Sequence, residues 1–129
     1  MDLRNKMHRA VQFLAIAALV AVVALTVVPA AERPVTGLGQ DWEHFLCFAI
    51  VGALTAVAFE LPLKLLLPAS VLFALALELA QIPLPTRHAR LEDFVVDALG
   101  IAFGVLCARL STRRLQHASA GRGRSIDLR

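Results

Sequence analysis

The sequence is poor in charged residues. Only 18% of its 129 residues are Asp, Glu, Lys or Arg, whereas 58% are hydrophobic. A soluble domain of this length could not bury so much apolar surface, so the composition excludes an ordinary soluble protein. Cysteine is also scarce: Cys47 and Cys107 both lie inside apolar runs, which predicts two small buried side chains rather than a disulfide. One integral membrane domain accounts for the whole composition.

Common catalytic signatures are missing as well. The chain has no HExxH zinc motif, no phosphate-binding glycine loop and no recognisable nucleophile motif. It also has no internal repeat of the kind from which many carriers are built. These absences weigh against an enzyme and against a carrier, and the sequence predicts neither a cofactor nor a metal site.

Four apolar segments are long enough to cross a membrane, since about 20 helical residues span the hydrocarbon. The predicted spans are residues 10–28, 42–61, 63–82 and 91–110. Pro34 breaks the chain before the second span, and Pro62 forces a tight turn before the third. The sequence therefore predicts an all-α, four-helix transmembrane bundle over residues 10–110. A basic segment, residues 1–9, precedes it, and a disordered basic tail, residues 111–129, follows.

The first apolar run also has features of a signal peptide, because basic residues precede it and the sequence PAAE follows it. The hydrophobic core of a signal peptide is usually about 7–15 residues long, shorter than this run. We therefore expect the first helix to be retained. The chain is then a multi-pass protein of the plasma (inner) membrane, with the lipid bilayer as its first partner.

The basic residues collect at the two ends of the chain. The terminal ones are Arg4, Lys6, Arg9, Arg109, Arg113, Arg114, Arg122, Arg124 and Arg129. This distribution is typical of membrane-flanking charge and argues against nucleic acid as a partner, despite the net charge of +3. Of the 13 Lys and Arg residues, only Arg33, Arg87 and Arg90 lie on the side opposite the termini. Both termini are therefore predicted to be cytoplasmic.

The fourth span carries its unusual residues on one stripe. Asp93, Asp97, Gly100 and Gly104 follow one another at i, i+4, i+7 and i+11. Gly100 and Gly104 form a GxxxG pair, and Gly52 lies on a similar stripe of the second span. We predict that these three glycines serve helix packing. The carboxylates on the same stripe then face protein rather than lipid.

Other polar side chains reach the same predicted outer end of the bundle. His44 lies just inside the second span. Glu78 and Gln81 share a face near the end of the third, and Arg87 lies in the loop that follows. We predict one polar pocket, open to the outside, whose ligand-binding residues are His44, Glu78, Gln81, Arg87, Asp93 and Asp97. Ionisable groups inside a span are costly, which favours a functional role for Glu78 and Asp97.

The remaining members of this set also have structural interpretations. Asp93 could cap its helix, and Gln81 could hydrogen-bond across helices. His44 could be an interfacial histidine, and Arg87 could anchor its loop at the membrane surface. The sequence leaves these alternatives open.

The order of these residues resembles a known family. The pattern from Glu78 to Gly104, E-x2-Q-x3-P-x-R-x5-D-x3-D-x2-G-x3-G, is similar to the signature of VanZ-like membrane proteins. The pattern from His44 to Gly52, H-F-x2-F-x3-G, is similar to an earlier element of that family. The resemblance covers about residues 40–108. It implies a small polytopic protein of the bacterial cell envelope, and the family's namesake is linked to low-level resistance to the glycopeptide teicoplanin.

Two positions depart from the family pattern. Asp97 stands where the family usually has Asn, which makes a proton-carrying role less transferable. Gln40 and Asp41 stand where the family usually has an Asp-Lys pair, so any role of that lysine is absent here.

Three functions fit these residues. The first is binding of a lipid-linked or amphiphilic ligand at the outer face, with Arg87 meeting a phosphate or carboxylate and the acidic groups meeting amines or hydroxyls. The second is an enzyme acting on a lipid-linked substrate, with Glu78 or Asp97 as general base and His44 as acid or orienting partner. The third is a proton-coupled carrier, which would need a homo-oligomer. We favour binding, with a lipid-linked envelope precursor or a glycopeptide as the corresponding partner.

Overall fold

A computed structural model describes residues 3–28, 37, 39–83 and 90–124, and this part of the chain is helical apart from short connections. The helices are α1 (Leu3–Val27), α2 (Gln40–Ala58), α3 (Leu63–Gln81) and α4 (Leu91–Arg124). Each contains an apolar stretch long enough to cross a membrane. The prediction of an all-α protein with four helices, each long and apolar enough to cross a membrane, is confirmed.

Glycine and proline set the starts of two helices. Gly39, immediately before α2, adopts a φ of 91°, a left-handed conformation that glycine accepts more readily than other residues. Its carbonyl accepts the N–H of Glu43 at 3.1 Å, the first hydrogen bond of α2. Pro62 precedes α3, and its carbonyl accepts the N–H groups of Leu65 and Leu66. Because proline has no N–H to lose and its φ is already helical, it starts α3 at little cost.

Each helix packs mainly against two others, in the cyclic order α1, α2, α4, α3. Successive helices run in opposite directions, so the neighbours α2 and α4 are parallel. The starts of α2 and α4 and the end of α3 therefore meet at one end of the bundle, which we call the polar end. The opposite end holds the start of α1 and the turn between α2 and α3.

The contact between α2 and α4 is made through glycine. A Cβ atom on Gly100 would lie 2.5 Å from a backbone oxygen of α2. A Cβ atom on Gly104 would collide with the carbonyl group of Ala49, and one on Gly52 would collide with the carbonyl group of Ile101. Backbone atoms cannot rotate out of the way as a side chain can. The two helices therefore touch backbone to backbone, as small residues permit in membrane bundles.

Apolar side chains fill the interior and also cover the outer surface. The main buried cluster joins all four helices and comprises Val22, Phe48, Val51, Ala74, Leu77 and Ile101. On the outside, Phe13 is 72% exposed and Leu72 is 62% exposed. The prediction that both cysteines are buried is wrong, because Cys107 is exposed and Cys47 is only partly buried. A surface of this kind fits hydrocarbon rather than water, in agreement with the composition.

Two helix ends differ from the sequence prediction by more than three residues. α1 begins at Leu3, inside the segment that we assign to a separate basic N-terminus, residues 1–9. α4 continues to Arg124, through most of the tail that we predict to be disordered from Ser111. The tail has no proline, and its Leu, Gln, Ala and Arg residues are strong helix formers. A helix that is already nucleated inside the bundle extends through them at little cost. Residues 125–129 lie outside the described part of the chain.

Side chains from α1 and α4 hold the end of α2. Gln12 Nε2 donates to the carbonyl of Ala58 at 3.4 Å. Arg109 Nη2 donates to the carbonyl of Phe59 at 3.0 Å and also to that of Leu61. These bonds satisfy carbonyl groups that a helix end leaves without intrahelical partners. The sequence interpretation counts Arg109 only as a flanking charge.

Candidate functional site

A hydrogen bond between His44 and Asp97 joins the parallel helices α2 and α4 at the polar end. His44 Nδ1 lies 3.1 Å from Asp97 Oδ1. The Asp97 side chain is only 5% exposed and that of His44 is 18% exposed. An ionised Asp97 accepts the Nδ1–H of His44, which fixes the tautomer and the orientation of the ring. The stripes that we predict on the two helices thus meet at these two residues.

Glu78 connects α3 to the start of α4. It is 6% exposed, and its Oε1 accepts the backbone N–H of Arg90. The carbonyl of Arg90 in turn accepts the N–H of Phe94 at 3.2 Å, so Arg90 is the residue from which α4 begins. A carboxylate at this place satisfies an N–H group that the helix leaves unpaired, and it opposes the positive end of the helix dipole. Glu78 therefore caps a helix other than its own.

The side chain of Arg90 turns away from this contact. Its Nη2 lies 2.7 Å from Glu92 Oε2, and the two side chains are 59% and 79% exposed. An ion pair this exposed contributes about 0–1 kcal/mol. We therefore assign Arg90 and Glu92 to the surface, outside the cluster.

Asp93 and Gln81 complete the group. Asp93 is half-buried, one turn before Asp97, and Asp93, Asp97 and His44 are all electrostatic neighbours of Glu78. Gln81 is 9% exposed and lies one turn after Glu78 on the inward face of α3. Within the described residues, neither Asp93 nor Gln81 forms a hydrogen bond through its side chain.

Five of the six predicted ligand-binding residues thus lie at the polar end, and we call them the polar cluster. Its members are His44, Glu78, Gln81, Asp93 and Asp97. The sixth, Arg87, lies outside the described part of the chain. Among the described residues, no group of three or more His, Cys, Asp or Glu side chains is arranged to hold a metal ion. The polar cluster thus contains three carboxylates, one imidazole and one amide, of which His44 and Asp97 are in direct contact.

An aromatic row joins the outer surfaces of α2 and α4. Trp42 and Phe45 meet edge to face with their ring centroids 5.9 Å apart. Phe45 then meets Phe103 of α4 with a centroid separation of 5.6 Å. Trp42 is 63% exposed and Phe103 is 54% exposed, so the row faces the surroundings of the bundle. It forms an exposed aromatic surface that is shared by α2 and α4.

Sequence reasoning does not find the partner of Glu78. Sequence analysis counts Arg90 only as a basic residue on the side opposite the termini, whereas its contribution to the site is a backbone N–H. The only available signal is positional: Arg90 directly precedes Leu91, Glu92 and Asp93, whose two carboxylates are typical of a first helical turn. The N–H of a residue at the start of a helix needs an acceptor from outside that helix. Glu78, a carboxylate near the end of the preceding helix, is such an acceptor.

The chain matches no protein-family model, no curated protein and no solved structure. Its function is therefore inferred from the chemistry of the polar cluster and from the pattern of the sequence.

Proposed function

We propose that this protein binds the head group of a lipid-linked or amphiphilic ligand through the polar cluster. The single observation that carries the proposal is the enclosure of three carboxylates, an imidazole and an amide between helices whose outer surfaces are apolar. Arg87, in the loop after α3, remains part of the proposal as a contact for a phosphate or carboxylate of the ligand.

The energetic cost of the cluster supports a role beyond packing. An ionisable group within a membrane span costs from a few to more than about 10 kcal/mol, depending on its access to water. Apolar residues in place of a buried ion pair are often neutral or stabilising by about 1–4 kcal/mol. Glu78 and Asp97 are 6% and 3% exposed. A bundle optimised for packing alone would have apolar side chains at these positions.

The aromatic row supports an amphiphilic ligand. In this proposal the apolar chain of the ligand contacts the exposed aromatic surface formed by Trp42, Phe45 and Phe103. Aromatic side chains offer large apolar contact areas at the level of a membrane interface. The protein thus offers a polar site for the head group of an amphiphile and an aromatic surface for its apolar chain.

The placement of the ligand follows from the proposed topology. The excess of Lys and Arg at the termini and at the turn before α3 favours a cytoplasmic location for that end of the bundle. The polar end would then face the outside of the plasma membrane. The resemblance to VanZ-like proteins favours a role in the bacterial cell envelope, with a lipid-linked envelope precursor or a glycopeptide such as teicoplanin as ligand.

Native mass spectrometry tests this proposal. Protein extracted with its surrounding bilayer should carry a bound amphiphile that survives removal of bulk lipid. His44→Ala, which removes the link between α2 and α4 at the cluster, should lose this adduct. Glu92→Ala, an exposed neighbour outside the cluster, should retain it. An adduct of equal occupancy in both variants, or none in the wild type, would contradict the proposal.

The hydrogen bond between His44 and Asp97 favours a second candidate, a membrane enzyme that acts on a lipid-linked substrate. A carboxylate that orients an imidazole is a common arrangement for general acid–base catalysis. Asp97→Asn separates the two functions, because Asn still accepts a hydrogen bond from Nδ1–H but cannot carry the charge. If the protein only binds, we expect Asp97→Asn to retain the adduct. Accumulation of an unconverted lipid-linked molecule in a folded Asp97→Asn variant would favour the enzyme.

A further inference from the structure

The guanidinium group of Arg109, at the end of the bundle opposite the polar cluster, has no counter-charge within the described residues. It is protonated at any physiological pH, and its Nη2 donates to two uncharged groups, the carbonyls of Phe59 and Leu61. The ion pairs of the described residues lie elsewhere, at His44 and at Arg90. The dipole of α2 offsets the charge of Arg109 only in part. The turn after α2 therefore holds an unbalanced positive charge.

Two nitrogen atoms of Arg109 also lack hydrogen-bond partners. Nε is shielded from solvent and forms no hydrogen bond, and it alone is in this condition among the buried side-chain nitrogen and oxygen atoms of the described residues. Nη1 forms no hydrogen bond with the described residues either, but it is not enclosed. A charged donor that is removed from water without a partner costs more free energy than a neutral one. An anion in contact with Nη1 would offset this cost, because charge-assisted hydrogen bonds are the strong ones.

Arg109 lies where the apolar surface of the bundle ends. Leu106 and Leu110 are exposed on α4, and the apolar run stops at Ser111. Leu106, Arg109, Leu110 and Arg113 follow one another at i, i+3, i+4 and i+7, so they share one face of the helix. A long cationic side chain at such a boundary reaches the level of the lipid head groups. This face of α4 thus changes from apolar to basic at the level of the membrane surface.

The surrounding charges have mostly the same sign as Arg109. The basic residues of both terminal segments lie at this end of the bundle together with Lys64. The acidic residues of these segments and of the turn are Asp2, Glu60 and Asp127. Glu60 is exposed, and Asp2 and Asp127 lie outside the described part of the chain. The excess of positive charge attracts anions to this end.

We propose that Arg109 binds the phosphate group of an anionic phospholipid, with Arg113 as a second contact. A phosphate can accept hydrogen bonds from two guanidinium groups at once. The acyl chains of the lipid would lie against Leu106 and Leu110. A soluble phosphate would meet the same arginines but would gain no contact with these leucines. The site lies at the end opposite the polar cluster and does not depend on the proposed function.

Native mass spectrometry of delipidated protein in detergent measures this binding. The protein is titrated with phosphatidylglycerol or with phosphatidylcholine of the same acyl chains, and the affinity for the first bound lipid is determined. The phosphate of phosphatidylglycerol is open to arginine, whereas the trimethylammonium group of phosphatidylcholine repels it. Phosphatidylglycerol should bind at least about fivefold more tightly, as expected from one arginine at an anionic lipid surface.

Matched variants connect this preference to the two arginines. Arg109→Gln should weaken the binding of phosphatidylglycerol about tenfold or more, as expected for hydrogen bonds to a charged group. Arg113→Gln should weaken it about fivefold. Arg113 is exposed and has no contact with the turn, so this variant should fold even if circular dichroism shows that Arg109→Gln does not. Arg114→Gln, the same loss of charge on a different face of α4, should change it less than about twofold.

Two comparisons exclude a merely structural effect and a soluble ligand. The binding of phosphatidylcholine should be the same in all variants, because a general disruption of the protein would weaken both lipids. Soluble glycerophosphate, at the concentration at which phosphatidylglycerol saturates the protein, should not displace the lipid. Displacement by glycerophosphate would assign the site to a soluble phosphate and overturn the proposal.

The proposal is also overturned if phosphatidylcholine binds as tightly as phosphatidylglycerol. Equal binding of phosphatidylglycerol by Arg113→Gln and Arg114→Gln would exclude the second contact, and the same result for a folded Arg109→Gln would exclude the site. None of these outcomes affects the proposed function, whose test depends on His44 at the polar end.

Discussion

Replacement of Gly104 by alanine should destabilise the bundle, although alanine is the better helix former. The added methyl group would collide with the carbonyl group of Ala49 and lie 2.9 Å from the backbone nitrogen of Ala53. Overpacking of a well-packed contact costs about 1–3 kcal/mol. Since the obstacles here are backbone atoms, we expect the upper part of that range, about 3 kcal/mol.

Helix propensity acts in the opposite direction. Alanine is favoured over glycine in a helix interior by about 1 kcal/mol. The net loss is therefore about 2 kcal/mol, or about a 30-fold change in the unfolding equilibrium constant. The sign of the effect is as informative as its size, because propensity alone predicts a gain in stability.

Unfolding in detergent micelles, followed by circular dichroism and by Trp42 fluorescence, provides the measurement. Gly104→Leu should be less stable than Gly104→Ala. Val95→Leu serves as the control, because Val95 is 45% exposed and lies on a different face of α4. It should unfold like the wild type. If Gly104→Ala is as stable as the wild type or more so, α2 and α4 are not in backbone contact and the packing that positions the polar cluster is incorrect.

Two further predictions concern topology and the opposite end of the bundle. Alkaline phosphatase fused after Gly39 should be active and after Lys64 or Arg114 inactive, because the polar end faces outside in the proposed topology; the reverse pattern in fusion assays would place the polar cluster in the cytoplasm. Arg109→Leu should lower the free energy of unfolding by about 1.5–3 kcal/mol, since it removes charged hydrogen bonds to the turn after α2. Arg113→Leu, which changes an exposed arginine on the same helix, should lower the free energy of unfolding by less than about 0.5 kcal/mol. If the two variants lose the same stability in the unfolding assay, the Arg109 contacts do not stabilise the bundle.

The sequence predicts the helices well because the length of an apolar run decides whether it spans a membrane. It predicts the helix ends less well. Ser111 marks the end of the apolar run, but a helix stops only where its backbone is interrupted, and the residues that follow favour helix. The four α-helices thus follow from local patterns, whereas the extension of α4 to Arg124 does not.

The polar cluster depends on both local and tertiary information. Helical periodicity places His44 on one stripe of α2 and Asp97 on one stripe of α4. That these stripes face each other follows from the parallel contact of α2 and α4, which no residue spacing specifies. The bond from Glu78 to Arg90 depends on the path of the chain between two helices. The hydrogen bonds of Arg109 to the turn after α2 do not follow from the sequence, because its long side chain can reach either carbonyl groups or water.

The backbone contact between α2 and α4 also determines which parts of the bundle can move. At Gly52, Gly100 and Gly104 the two helices have no side chains between them that could repack. We therefore expect α2 and α4 to move together, with His44 and Asp97 on them. Opening of the polar cluster then requires displacement of α3, which carries Gln81 and Glu78. Such a movement would break the hydrogen bond that the backbone N–H of Arg90 donates to Glu78. We therefore expect a ligand that competes for Glu78 to weaken the connection between α3 and the start of α4.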